Sequence, residues 1–167
     1  MQYVEAHGTG TAVGDPIEAN AIGSAIGMHR SQPCFLASVK TNIGHLEAGA
    51  GMASLIKMML ALRHRMIPKH LHFENPNPAI DLDRLHLQIP RETIPWPSQA
   101  GPRVAGINGF GYGGATRTCW WKSICHPTQR VRLAMFPFQL RVQAIYPLGV
   151  FASPREPHPR FPPLPRI

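Results

Sequence analysis

Three shortages in this sequence each exclude something. Cysteine occurs only at Cys34, Cys119 and Cys125 in 167 residues, with no CxxC pair. Such spacings build no disulfide framework, and a reducing compartment, the cytoplasm, is the expected setting. Long apolar runs are also missing. The longest, residues 46–62, is interrupted by Glu47 and Lys57, too short and too charged to cross a bilayer, so no membrane is expected. The opening "MQYVEAHGTG" lacks the basic and apolar regions of a secretory signal. Acidic side chains are the third shortage, nine against seventeen Lys and Arg. That imbalance is local: residues 1–121 carry ten basic and eight acidic residues, residues 122–167 seven and one, with nine prolines. The pI of 10.1 therefore describes the tail. No binding motif or regular aromatic interleaving accompanies the charge, so nucleic acid is not an expected partner.

What is present reads as alternating strands and helices. "QYVE", 2–5, ends a strand and "GTGTAVG" is loop. A helix is expected from Asp15 as N-cap, with Pro16 at the first helical position, Glu18 closing a capping box and Gly27 ending it. "CFLASV", 34–39, reads as a buried strand with "KTNIGH", 40–45, as its exit loop. Residues 46–64 read as a second helix; the small residues of "EAGAGMAS" predict close packing against another backbone, hence a central helix. "ENPNPAIDLDRL", 74–85, is a surface loop, "LHLQI" and "VAGIN" are short strands, and "GFGYGG", 109–114, is a glycine-rich turn. After Ala115 the periodicity ends.

Chemistry concentrates behind two strands. His7 follows "YVEA" and His45 follows "SVKTNIG", the strand ends beyond which open α/β sheets bind ligands. Lys40 stands at the second exit, and Thr9 and Thr11 offer hydroxyls in the first loop. Two imidazoles, an ammonium and two hydroxyls around one cleft suit stabilisation of a developing oxyanion, but supply no nucleophile. "HLH", 70–72, has no third ligand at a suitable spacing, so no metal is expected. The glycine-rich segments lack the endings of phosphate or dinucleotide loops. Cys34 reads as a small core residue.

Four segments in order, "VEAHGTGTAVGDPIEA", "SVKTNIGHLEAGAGMASLIK", "LHFENPNPAIDLDRL" and "INGFGYGGA", resemble the C-terminal half of the β-ketoacyl synthase domain of type I polyketide synthases, closest in wording to fungal iterative enzymes. The resemblance covers residues 2–115. It implies the C-terminal half of a thiolase-like α/β fold and a parent activity of decarboxylative Claisen condensation, an acyl transfer joining an acyl thioester to malonyl units on acyl carrier protein. His7 and His45 match the family's catalytic histidines, and Lys40 the lysine that organises the site. Thr9 and Thr11 match threonines touching the phosphopantetheine arm, the substrate carrier; no cofactor is expected on this chain itself. Phe110 and Tyr112 match gating-loop aromatics, the Tyr112 N–H contributing to an oxyanion hole. The implied parent is a homodimer.

The match also fails in two places. The family's nucleophilic cysteine lies in the N-terminal half, ahead of Met1, so this chain alone is expected to be inactive and to expose apolar surface that the other half covers. The alternative is a non-catalytic module that docks on a complementary synthase half or a carrier protein. At the other end the family's closing strand, "NAHVLVE", is replaced by "TRTCWWK". The codons AAC GCG CAC GTG TTG GTG GAA, shifted by one nucleotide, encode Thr-Arg-Thr-Cys-Trp-Trp and the start of Lys. Residues 1–115 are therefore expected to form the synthase segment, and residues 116–167 an out-of-frame, Pro/Arg-rich tail without order.

Overall fold

The computed structural model describes residues 1–97, 102–111, 116–126 and 129–137, the last two stretches as backbone. Its centre is a six-stranded sheet. β1 (Tyr3–Glu5) lies between β2 (Cys34–Ala37) and β6 (Arg103–Phe110), parallel to both, and β4 (Leu87–Gln88) adds in parallel outside β2. A two-stranded ribbon of β3 (Met66–Ile67) and β5 (Ile94–Pro95) stands apart.

Helices cover both faces, because the strands alternate their side chains between two apolar clusters. Val4, Cys34 and Leu36 meet Ala19 and Ile22 of α1 (Gly14–Ile22), which runs on through a π-helical turn, Gly23–Gly27. Tyr3, Ala37, Ala105 and Ile107 meet Met58, Ala61 and Leu62 of α3 (Ala50–His64). The "KTNIGH" loop contains one helical turn, α2 (Lys40–Ile43), and a 3-10 turn, Glu47–Gly49, precedes α3. No helix among the described residues is long and apolar enough to cross a membrane.

One expectation needs correction. Asp15 does not cap α1. The cap position is Val13, without a side-chain bond, and the Asp15 carboxylate instead accepts the Gly10 N–H at 3.1 Å. In α3, Gly51 has nothing within 4 Å of where a Cβ would stand, and Met52 and Ile56 are 60% and 51% exposed. A Cβ at Gly49 would meet only Leu46, whereas Ala50 and Ser54 are buried. Ile43, Leu46, Met52, Ile56 and Leu60 line an open apolar groove of about 710 Å³. Beyond β6 the sheet gains two further strands. β7 (Thr116–His126) pairs antiparallel with β6, and β8 (Gln129–Pro137) with β7. Residues 138–167 lie outside the described residues.

Candidate active site

The chain leaves β1 to β2 on one side, by way of α1, and β6 docks on the other. The strand order therefore reverses at β1, the place where an open parallel sheet leaves a crevice at its carboxyl edge. His7 stands there, two residues past β1, and Phe110 at the end of β6 beside it.

Glu18 fixes the His7 turn. One carboxylate oxygen accepts the His7 N–H at 2.8 Å and the amide of Asn108 at 2.9 Å; the other accepts the Gly8 N–H at 2.9 Å. Gly8 turns with φ +44°, and a Cβ there would lie 3.0 Å from the Ser38 Cβ. Glycine thus lets the turn close against the exit of β2. Burial pushes the Glu18 carboxyl pKa up, and the three donors pull it back.

The two imidazoles meet edge to face, ring centres 5.6 Å apart at 87°. Each has one nitrogen occupied. His7 Nδ1 accepts the Phe110 N–H at 3.4 Å and His45 Nδ1 accepts the Glu47 N–H at 2.9 Å. The Glu47 carboxylate, 4.0 Å from the same His45 nitrogen, is too distant to reverse that assignment. A neutral imidazole with Nδ1 accepting carries its proton on Nε2. Both rings are thereby set as Nε2–H donors. His7, His45, Phe110 and Gly111 line one open cleft of about 700 Å³. Burial, then the nearby charge of Lys40, then His45, lower the His7 pKa from 6.5 to about 4, so at neutral pH it is uncharged.

Lys40 opens α2. Burial lowers its pKa, while the carboxylates of Glu5 and Glu18 pull it back up. A second carboxylate, Glu5, is wholly buried at the end of β1; it accepts the Val39 N–H and the Tyr3 hydroxyl. Lys57 Nζ of α3 lies 3.1 Å away and forms an ion pair with it. Burial raises the Glu5 pKa against the pull of Lys57.

His7, His45 and Phe110 thus share a cleft, with Lys40 close enough for its charge to act on His7. Thr9 and Thr11 are exposed. Thr11 lines a separate cavity of about 600 Å³ with Ser38, Thr41 and His70, and its hydroxyl accepts the Gly14 N–H at 3.0 Å. Tyr112 lies outside the described residues. Cys34 is fully buried, and burial pushes its thiol to about 11, as suits a core residue. Sequence reasoning missed Glu5, Asn108 and the real role of Glu18. An acid inside an apolar strand, "YVEA", was the available signal for Glu5, because buried carboxylates need partners.

Residues 1–74 match the model of the β-ketoacyl synthase C-terminal domain. The hybrid PKS-NRPS synthetase pynA of Aspergillus niger is 56% identical over 114 residues, 68% of this chain and 3% of that protein. The highly reducing polyketide synthase poxF of Penicillium oxalicum is 56% identical over 115 residues, 68% of this chain and 4% of that protein. Among solved structures, the oxazolomycin ketosynthase domain of Streptomyces albus superposes with a TM-score of 0.71 at 37% identity, over 77% of this chain and 24% of that one. Ketosynthase twelve of the bacillaene synthase of Bacillus amyloliquefaciens gives 0.64 at 39% identity, over 68% and 21%. The chain therefore spans a few per cent of these curated relatives and about a quarter of the solved ketosynthase chains. It belongs to the polyketide-synthase ketosynthases and carries the C-terminal half of their thiolase-like β-ketoacyl synthase domain.

Proposed function

We propose that this segment supplies the decarboxylation half of a ketosynthase active site, acting on a malonyl thioester carried by the phosphopantetheine arm of an acyl carrier protein. The observation that carries the reading is the pair of imidazoles, 5.6 Å apart, each with Nδ1 occupied by a backbone N–H. Two Nε2–H groups are left to donate to one oxygen. When the malonyl C–C bond to the carboxylate breaks, carbon dioxide leaves and the electron pair moves onto the thioester, making an enolate oxygen. Two fixed donors stabilise that charge without giving up a proton, and each is worth roughly a hundredfold to a thousandfold in rate. The low pKa of His7 keeps it a neutral donor.

The enolate carbon then attacks an acyl thioester, a C–C bond forms, and the thiolate leaves. Cys34, the one cysteine whose side chain is described, is too buried and too weakly acidic to be that thiolate. The acyl carrier in this reading is a cysteine of a complementary amino-terminal half, as the family resemblance implies. The exposed groove over α2 and α3 supports the need for such a half, because a patch of this kind is unfavourable in water. Thr9, Thr11 and Tyr112 take their roles, contacts to the arm and the oxyanion hole, in that assembled domain. The parent works as a homodimer in the cytoplasm. A docking-only role rests on the same groove and lacks any use for the histidine pair.

The test is malonyl-carrier decarboxylation by this chain combined with the amino-terminal half of a related ketosynthase. His7→Ala and His45→Ala should each lower the rate by about a hundredfold or more. Equal rates in both variants and the unsubstituted protein would refute the reading.

A further inference from the structure

The strongest unexplained feature of the molecule is the wholly buried Glu5. A carboxylate without contact to solvent is costly unless its neighbours repay it. The neighbours here belong to three elements. Glu5 ends β1, two residues before His7. It accepts the N–H of Val39, the residue just before Lys40. It faces the Lys57 ammonium of α3 at 3.1 Å, and that side chain is itself only 10% exposed.

Val39 is where the second catalytic segment begins. The Asn42 N–H donates to its carbonyl at 2.9 Å and the Ile43 N–H at 3.3 Å, so the α2 turn that carries Lys40 toward His45 is built on it. The two strand exits are tied a second time by the Ala6 N–H, 2.7 Å from the Ala37 carbonyl. We infer that Glu5 is a positioning residue: its buried carboxylate holds the exit of β1, which bears His7, to the turn that bears Lys40 and His45, and Lys57 anchors both to α3. The inference rests on the reading of His7, Lys40 and His45 as one site, but its test uses no condensation assay, so the two can fail separately. A packing role alone would need only volume at position 5. A positioning role needs an acceptor aimed at Val39.

Hydrogen exchange and side-chain NMR titrations on the full chain make that distinction. In the unsubstituted protein the Val39 amide should be strongly protected and shifted downfield by a charged acceptor; rapid exchange there would already overturn the inference. Glu5→Gln/Lys57→Met removes both charges and keeps an acceptor, so Val39 should stay protected and His7 should titrate as before. Glu5→Leu/Lys57→Met keeps the volume and removes the acceptor. Val39 exchange should then rise by about tenfold or more relative to neighbouring strand amides, and the His7 titration should move. In Glu5→Gln alone, Lys40 should titrate at lower pH, having lost a nearby negative charge. Identical Val39 exchange and His7 titration in the Gln and Leu double variants would show that Glu5 is a packing residue only.

Discussion

His7 offers the sharpest prediction, because its charge state follows from three named causes. Burial is the largest, the Lys40 charge second and His45 third, and together they take the imidazole from 6.5 to about 4. Titrating the His7 Cε1 proton by NMR should give a midpoint near that value. Lys40→Met removes the second cause but not the first, so the midpoint should rise and still stay below 6.5. The same shift has a consequence for stability. Between 6.5 and about 4 the unfolded chain binds a proton at His7 that the folded chain does not. Stability must therefore fall as the pH drops through this window, level out below it, and be unaffected above 6.5. A displacement this large would be worth roughly 3 kcal/mol at full strength. The ring is half-exposed on an open cleft, and solvent screening reduces the figure to ~1–2 kcal/mol. His7→Gln, which keeps an N–H donor but cannot titrate, should lose that much less stability between pH 6.5 and 4 in urea unfolding. A midpoint at 6 or above in the unsubstituted protein would mean that neither burial nor Lys40 acts on this ring, and the neutral-donor role would lose its basis.

Other positions follow from the same geometry. Glu18→Ala strands the N–H groups of His7 and Gly8 and the Asn108 amide, and should cost about 3–5 kcal/mol in urea unfolding; a loss below ~1 kcal/mol would contradict the bonding described. Glu18→Gln should fall between the two. Gly51→Ala should stabilise by about 0.5–1 kcal/mol, since α3 gains a better helix former in open space, whereas Gly27→Ala should cost several times that, its Cβ falling 2.0 Å from the Leu85 carbonyl oxygen. Met52→Lys with Ile56→Lys should raise the solubility of the chain alone and weaken its association with an amino-terminal ketosynthase half by about tenfold or more, read by sedimentation.

The sheet was legible where strands are short, apolar and bounded by turn residues. "CFLASV" and "VAGIN" became β2 and β6 because runs of Val, Leu, Ile and Ala can be buried on both faces. The two histidines were legible from their position after such strands. What stayed hidden depended on contacts far apart in the chain. Asp15, Pro16 and Glu18 have the spacing of a capping box, yet Glu18 turns away to donors at residues 7, 8 and 108. Tertiary demand for an acceptor there outweighs the local cap, which only saturates one helix end. The glycines of "EAGAG" suggested close packing, but no described element lies against them. Residues 116–126 show no periodicity, yet pair along the whole of β6, because a strand edge recruits a partner through backbone groups that any sequence carries.

The most direct test is the structure of this chain assembled with an amino-terminal ketosynthase half and a pantetheine-linked malonyl amide, which cannot lose its carboxylate as readily as the thioester. The account predicts the carbonyl oxygen within about 3 Å of Nε2 of both His7 and His45. A carbonyl seated instead in the cavity of Thr11 and His70, with the two imidazoles unengaged, would contradict it.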